Sequence, residues 1–198
     1  MTPLRTRQAI EALGISQTVL ASGAGAAMVG FIQSGTGAIA ETTEAAIRRV
    51  GVYVQQFGAT GDGVTNDTVA FNKATVAAQA LGVPLIVPAG HYRVRMWTVP
   101  RAGGGVSISV HPEAIVQLHG AQTGTDSVIE VHADNVTVRG GIWDGDAAAN
   151  YTAAPGNNVI VKAFAGVSGD AQIRGFMFEP TIVRNGNTNG VFILGAKG

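Results

Sequence analysis

The sequence contains no cysteine and few charged residues. Without thiols the chain cannot form disulfides, thiolate nucleophiles or cysteine-ligated zinc and iron–sulfur sites. Charged residues make up 13% of the sequence, about half of the roughly 25% that is usual in soluble domains. Basic and acidic residues balance at 13 each, so no net field attracts nucleic acid or anionic lipid. We therefore expect neither of these partners.

The same shortage of charge bears on self-association. Hydrophobic residues make up 46% of the chain and 28 residues are glycine, so little electrostatic repulsion keeps two copies apart. We therefore expect an obligate oligomer.

The longest stretch without a charged side chain covers residues 12–40. It exceeds the ~20 residues that a membrane-spanning helix needs, but glycine, serine, threonine and glutamine interrupt it throughout. A signal peptide also fits poorly, because Glu11 precedes the stretch and no compact apolar core follows a basic start. We expect this stretch to be buried in a protein assembly and not inserted in a bilayer.

The first 50 residues divide into three parts. Residues 1–22 show a weak amphipathic pattern, and residues 23–37 form a glycine-rich connector. A short helix is predicted next, because apolar residues recur at spacings of three and four, with acidic residues early and basic residues late. The apolar cluster of the connector contains Met28, Val29, Phe31 and Ile32, and the helix face contains Ile39, Thr43, Ala46, Ile47 and Val50.

Residues 52–94 predict a strand, a tight turn, a helix over about residues 68–81 and two further strands. Glycines in and before the turn allow positive φ, and Thr65, Asn66 or Asp67 can accept hydrogen bonds at the helix N-terminus. Gly82 ends the helix. One helix face carries Ala70, Ala74, Ala77 and Leu81, and Asn72, Lys73 and Gln79 point away from it.

Two strings in this region carry a family resemblance. Residues 57–68 read FGATGDGVTNDT, and residues 87–94, after the helix, read VPAGHYRV. This pattern resembles the first module of the pectate-lyase-like β-helix family found in phage tailspikes. The resemblance implies an all-β fold, a right-handed parallel β-helix with an N-terminal capping helix, preceded by an extended or helical virion-attachment segment.

The resemblance also implies three domains. Residues 1–50 are the virion-attachment segment, residues 51–100 open and cap the β-helix, and residues 101–198 form its first coils. In this scheme the side chains that attach to the virion are Met28, Val29, Phe31, Ile32, Ile39 and Ile47.

Imperfect repeats support a solenoid independently. Residues 136–140 align with residues 116–120 at a shift of 20 and with residues 171–175 at a shift of 35. A second set of predicted strands lies near residues 128–131, 159–161 and 191–193. Unequal shifts are typical of a β-solenoid whose loops vary in length. A β-sandwich also has short strands and turns, so these repeats alone leave both folds open.

Three carboxylates are the catalytic candidates: Asp144, Asp146 and Glu179. Glycoside hydrolysis needs two carboxyl groups roughly 5–10 Å apart, and the alignment places Asp144 and Glu179 on neighbouring coils. The alternative is that all three are ordinary turn residues. Trp143 aligns with Phe178, so an internal aromatic stack is expected in preference to a sugar-stacking platform.

Other constellations predict structural roles. The turn and cap residues are Gly58, Gly61, Asp62, Gly63 and Asp67. They resemble a calcium loop but lack the bidentate glutamate at the twelfth position, and the histidines form no close zinc-like pair. We therefore expect no metal and no cofactor.

The sequence leaves two functions open. In the first, the chain is a structural component of a viral tail, a homotrimer that docks on other virion proteins through residues 1–50 and serves host attachment. In the second, the parent chain is a polysaccharide depolymerase, a glycoside hydrolase or lyase acting on host surface polysaccharide. Its active site would then lie beyond Gly198 or between subunits.

Overall fold

The computed structural model describes residues 29–31, 35–120, 126–146, 159–164, 173–186 and 191–194. They belong to two compact units, Met1–Val50 and Gly51–Gly198. The predicted amphipathic segment 1–22 and the apolar residues Met28 and Ile32 lie outside the described residues, and Phe31 is described only in its backbone.

The first unit contains a two-stranded antiparallel ribbon and a short helix. Strands β1 (Gly30–Phe31) and β2 (Glu41–Thr42) pair, and helix α1 covers Thr43–Arg48. The Thr42 side chain caps the helix by accepting a hydrogen bond from the Ala45 amide at 3.1 Å. The predicted helix is thus too long at its start, because residues 41 and 42 pair with β1.

Apolar side chains of this unit remain exposed. Ile39, which precedes the helix, is 84% exposed, and Ile47 is 56% exposed. The predicted charge order of the helix is present, since Glu44 and Arg48 form an ion pair one turn apart.

The second unit begins with strand β3 (Val52–Tyr53), a 3-10 turn (Val54–Phe57), strand β4 (Asp62–Asn66) and helix α2 (Thr68–Leu81). The helix bounds match the prediction. Gly58, Gly61 and Gly63 adopt φ of 96°, 64° and 76°. A Cβ at Gly61 would also lie 2.8 Å from the Tyr92 ring, so this turn needs glycine for space as well as for conformation.

The acidic residues of this turn have different tasks. Asp62 accepts the Val64 and Thr65 amides at 2.8 and 2.7 Å, and these bonds, led by that from Thr65, lower the pKa of Asp62 to about 2. Asn66 accepts the Thr68 amide.

The predicted helix-cap role of Asp67 is wrong, because its carboxylate accepts the Thr60 and Gly61 amides instead. Asp67 has φ −85° and ψ 0°, outside the extended conformation from which a capping side chain reaches the helix amides. It ties down the preceding loop.

The buried face of α2 is rotated from the predicted one. Ala70 and Ala74 are buried as expected, but Phe71 and Ala78 complete the face and Leu81 is 48% exposed. Gln79 is also buried, and its Nε2 donates to the carbonyls of Pro100 and Gly104 at 3.0 and 2.6 Å. The large Phe71 ring determines which face of the helix is buried. The hydrogen bonds of the Gln79 side-chain amide allow this polar residue to be buried as well.

The described part of this unit contains ten further strands. They are β5 (Leu85–Val87), β6 (His91–Val94), β7 (Trp97–Val99), β8 (Ser107–Leu118), β9 (Ser127–Val131), β10 (Thr137–Asp144), β11 (Val159–Phe164), β12 (Met177–Glu179), β13 (Ile182–Arg184) and β14 (Val191–Leu194). Every strand pair in the described part of this unit is parallel.

The strands form three faces. The first face contains β3, β5, the first halves of β8 and β10, and β12. The second contains β4, β6, the second halves of β8 and β10, and β13. The third contains β7, β9, β11 and β14. After the opening coil, four coils begin at β5, β8, β10 and β12, and each visits the faces in turn. This is the predicted parallel β-helix.

Inward side chains stack from coil to coil. On the first face Leu85, Ile108, Val138 and Phe178 lie in one register row. An aromatic column crosses the core: Phe71 of α2 contacts Trp97 at 4.9 Å between ring centroids, Trp97 stacks on Trp143 at 6.1 Å, and Trp143 meets Phe178 at 5.4 Å. Trp143 is fully buried, so the prediction of an internal aromatic stack is confirmed.

The structure corrects one set of repeats and confirms the other. Val161 pairs with Ile129 and Val191, so the second set does stack on one face. The first set is wrong, because Val138 pairs with Ile108 and Phe178 and not with residues 118 and 173. The alignment matched basic–glycine pairs that lie at different corners: Arg174 belongs to the corner before β12, where its carbonyl accepts the Asn135 amide.

In the part of the chain that the structure describes, no helix has the length and apolar content needed to span a membrane.

Candidate functional site

The outward surface of the second face carries a row of polar side chains along the helix axis. Arg93, Gln117, Asp144 and Arg184 occupy the same register position on four successive coils, about 4.8 Å apart. Strand alternation turns their neighbours Tyr92, Val116 and Trp143 into the core. We call this set the polar row; it consists of Arg93, Gln117, Asp144 and Arg184 together with the adjacent His91 and Asp146.

Asp144 is the most enclosed member of the polar row. It is 3% exposed, and Arg184 Nε donates to its Oδ2 at 2.8 Å. Its Oδ1 accepts the Asp146 amide at 2.8 Å and Asn185 Nδ2 at 3.0 Å. Burial alone would raise the pKa of Asp144, but these hydrogen bonds and the Arg184 charge outweigh it, and the pKa lies below the ordinary 3.8. Asp144 is therefore a fixed anion.

Asp146 behaves in the opposite way. It sits in a corner with a φ of 50°, and Arg93 Nη2 donates to its Oδ2 at 3.1 Å. Burial raises the pKa of Asp146; Arg93 opposes this, and the Asp144 charge adds to it, so the net shift is upward. The two carboxyl groups thus differ in their readiness to hold a proton.

The remaining members supply hydrogen-bonding groups. His91 Nε2 and Gln117 Oε1 lie 2.8 Å apart. The buried Arg93 Nε makes no hydrogen bond to the described residues. The row thus presents cationic, amide and carboxylate groups in one line.

Glu179 does not belong to this cluster. It lies on the first face in register with Arg139, whose Nε donates to Glu179 Oε2 at 2.6 Å. The expected proximity to Asp144 is wrong, because Asp144 is in register with Arg184. Asp144 and Asp146 do come together, as expected of neighbours in sequence. Their hydrogen bonds also place both aspartates at a corner between strands, in agreement with the alternative interpretation that they are turn residues.

Sequence reasoning missed Arg93, Arg184, His91 and Gln117 as site residues. The alternation of polar and apolar residues over 91–94 was a usable signal that His91 and Arg93 point outward. Nothing local revealed which residues stack on them, because the loops between coils differ in length.

The chemistry available to the polar row is binding and proton transfer. Arginine, histidine and amide groups donate to hydroxyl and carboxylate oxygens, and aspartates accept from hydroxyls. A carboxylate kept ionised beside one with a raised pKa is the arrangement that acid–base catalysts use. Within the described residues, no group of three or more histidine, aspartate or glutamate side chains could hold a metal ion.

Comparison with known proteins gives one family and several structures. The model of the family described as rhamnogalacturonase A/epimerase, pectate lyase-like matches residues 51–160. This range contains five of the six members of the polar row; Arg184 lies beyond it. A comparison with curated protein sequences found no match.

Among solved structures, tailspike protein 3 of bacteriophage CBA120 is similar with a TM-score of 0.57 and 14% identity. The similarity covers 92% of this chain and 28% of the tailspike, so this chain spans less than a third of it. The A-module of the mannuronan C-5 epimerase AlgE6 of Azotobacter vinelandii has a TM-score of 0.42 and 24% identity, covering 65% of this chain and 40% of that one. For the AlgE4 A-module these values are 0.43, 18%, 73% and 48%.

Proposed function

Because this chain belongs to the rhamnogalacturonase A/epimerase, pectate lyase-like family, we propose that it is part of a bacteriophage tailspike that attaches to a host-surface polysaccharide. The observation that carries the proposal is the capped parallel β-helix with a polar row on its outer surface. The fold shared with a phage tailspike over 92% of this chain supports it. The protein is then a component of the viral tail.

In this proposal the first unit attaches the spike to the virion. Its described apolar side chains have little cover inside the unit: Val29 is 48% exposed and Ile39 84%. Contact with another virion protein would remove this surface from water. We call this exposed apolar surface the docking surface, and Ile47 also belongs to it. Met28, Phe31 and Ile32, whose side chains lie outside the described part of the chain, are assigned to it because they are apolar neighbours in the sequence.

The spike is proposed to be a homotrimer, and its polar row to contact the glycan. A linear polysaccharide repeats hydroxyl groups along its length, and the row repeats donors and acceptors along the β-helix axis. Arg93 and His91 on the first coil, and Arg184 on the fourth, can donate to glycan oxygens while Asp146 accepts.

A second candidate function is modification of the same polysaccharide. The opposite pKa directions of Asp144 and Asp146 favour it. Asp146 would act as the proton donor and Asp144 as the ionised partner. Glu179 has no part in this pair, since it lies on the first face.

The test is titration of host capsular polysaccharide into the full chain, together with an assay for newly formed reducing or unsaturated ends. Arg93→Ala should weaken binding about tenfold, the loss of one charged hydrogen bond. The matched control Arg174→Ala, an exposed arginine at another corner, should bind normally. Binding without new chain ends supports attachment. New chain ends that wild type forms and the Asp146→Asn variant does not form support modification. If the chain does not bind the polysaccharide at all, both functions are contradicted.

A further inference from the structure

An asparagine–glycine pair follows β13 at the end of the polar row. Asn185 and Gly186 come directly after Arg184, and both are exposed. Asn185 adopts a left-handed φ of 53°, and its Nδ2 donates to Asp144 Oδ1 at 3.0 Å. The pair therefore combines an accessible backbone with a side-chain amide held against the most enclosed carboxylate of the row.

An asparagine that precedes glycine can react with its own main chain. Glycine has no side chain, so the Gly186 nitrogen can approach Cγ of Asn185, and asparagine is a thermolabile residue. When that nitrogen attacks, a new C–N bond forms, the Cγ–Nδ2 bond breaks, and ammonia leaves with the proton that the Gly186 amide loses. Water then opens the cyclic imide at either carbonyl carbon. Position 185 becomes aspartate or isoaspartate, and water is the only reagent consumed.

The contact with Asp144 places a negative charge beside the leaving nitrogen. That nitrogen gains a proton as it departs, and a carboxylate at hydrogen-bond distance stabilises the resulting positive charge. Asp144 is held as an anion by Arg184 Nε at 2.8 Å and by the Asp146 amide at 2.8 Å. The folded corner thus favours the departure of ammonia from Asn185.

The product changes the surroundings of Asp144. A carboxylate at position 185 cannot donate a hydrogen bond, so two like charges face each other where an amide met a carboxylate, and Arg184 has two anions to neutralise. Isoaspartate also lengthens the main chain between residues 185 and 186. Gly145 packs directly against this peptide, and a side chain there would overlap the Asn185 carbonyl oxygen. Neither product fits the corner as asparagine does.

We propose that Asn185–Gly186 is a spontaneous deamidation site, and that its conversion removes the hydrogen bond that fixes Asp144 and adds a second anion beside it. The third and fourth coils of the polar row are thereby altered with the age of the protein. The reaction and its effect on Asp144 do not depend on what the polar row binds. A loss of polysaccharide binding with age rests in addition on the proposed function.

Peptide mapping tests the site. The purified full chain is incubated at mildly alkaline pH until a denatured aliquot has converted Asn185, and both are digested and analysed by mass spectrometry. Fragmentation separates position 185 from the second asparagine–glycine pair of the sequence, Asn189–Gly190. The folded chain should carry aspartate and isoaspartate at 185, whereas Gly186→Ala, with a methyl group beside the attacking nitrogen, should keep the asparagine. An Asn185 that stays intact in the folded wild type would overturn the proposal.

Two substitutions at position 185 test the effect on Asp144. Asn185→Asp reproduces the charge of the product, and Asn185→Gly removes the same hydrogen bond without adding charge and tolerates the left-handed φ. Carboxyl resonance titration should show a higher pKa of Asp144 in Asn185→Asp than in Asn185→Gly. Equal values would overturn the effect assigned to the modification. A chain that deamidates at 185 but binds no polysaccharide when fresh would contradict the proposed function alone.

Discussion

Asp144 and Arg184 lie in register on neighbouring coils of the second face, and Arg184 Nε donates to Asp144 Oδ2 at 2.8 Å. The pair joins the third coil to the fourth at the point where the chain turns toward the third face. Because Asp144 is 3% exposed, its charge depends on this arginine and on the corner amides. The same contact therefore bears on stability and on the pKa difference within the polar row.

The first prediction concerns acid stability. The folded pKa of Asp144 is lowered, so its contribution is complete above the ordinary value of 3.8 and is lost as pH falls below 3.8 through the folded pKa. Asp144→Asn should lower the free energy of unfolding at pH 7 by about 1–3 kcal/mol. The difference between wild type and variant should shrink on acidification. Denaturant melts at pH 7 and pH 3 measure it, and a difference that is equal at both pH values would contradict the role assigned to Asp144.

The second prediction concerns Asp146, whose contribution to stability depends on pH in the opposite direction. The pKa of Asp146 is raised in the folded state, so the protonated carboxyl group favours folding. This stabilising contribution is complete below the ordinary pKa of 3.8 and is lost as pH rises through the folded pKa. Asp146→Asn should flatten this part of the stability profile. Nuclear magnetic resonance titration of the carboxyl carbons should place Asp146 above Asp144, and the reverse order would refute the assignment.

The third prediction concerns the capping helix. Ala74 is fully buried against the first coils, whereas the neighbouring Lys73 is exposed. Ala74→Asp would bury an unpaired charge and should lower the free energy of unfolding by about 3 kcal/mol or more, whereas Lys73→Asp should change it little. Equal shifts in the melts of these variants would show that the buried face of α2 is wrongly assigned.

The fourth prediction concerns Asp67, whose buried carboxylate accepts the Thr60 and Gly61 amides. Asp67→Ala would leave those donors unpaired and should destabilise the protein by about 1–3 kcal/mol. Hydrogen exchange should accelerate at both amides while the N-terminus of α2 keeps its protection. Faster exchange confined to the first turn of α2 would restore the helix-cap role.

The sequence predicted the capping helix and its turn because their signals are local. Positive-φ glycines, an amphipathic helix and a terminal Gly82 act over a few residues and need no knowledge of the rest of the chain. The third-face strands were also predictable, since the separations of Val161 from Ile129 and Val191 are nearly equal.

Register on the other faces was not predictable in the same way. The loop lengths between Ile108, Val138 and Phe178 are unequal, and matching basic–glycine pairs joined residues from different corners. The polar row depends on that register, because Arg93 and Arg184 approach the aspartates only after the coils stack. A local pattern can show that a side chain points outward, but not what it faces.

The measurement that tests the proposed attachment most directly is incorporation of the protein into phage particles after deletion of residues 1–37, scored by mass spectrometry of purified virions. The deletion removes Met28, Val29, Phe31 and Ile32 and leaves Gly51–Gly198, which forms a compact unit with its own core. The shortened protein should fold, with the circular dichroism of a β-helix, but should be missing from the particles. Particles that carry it at the normal level would contradict virion attachment through the first unit.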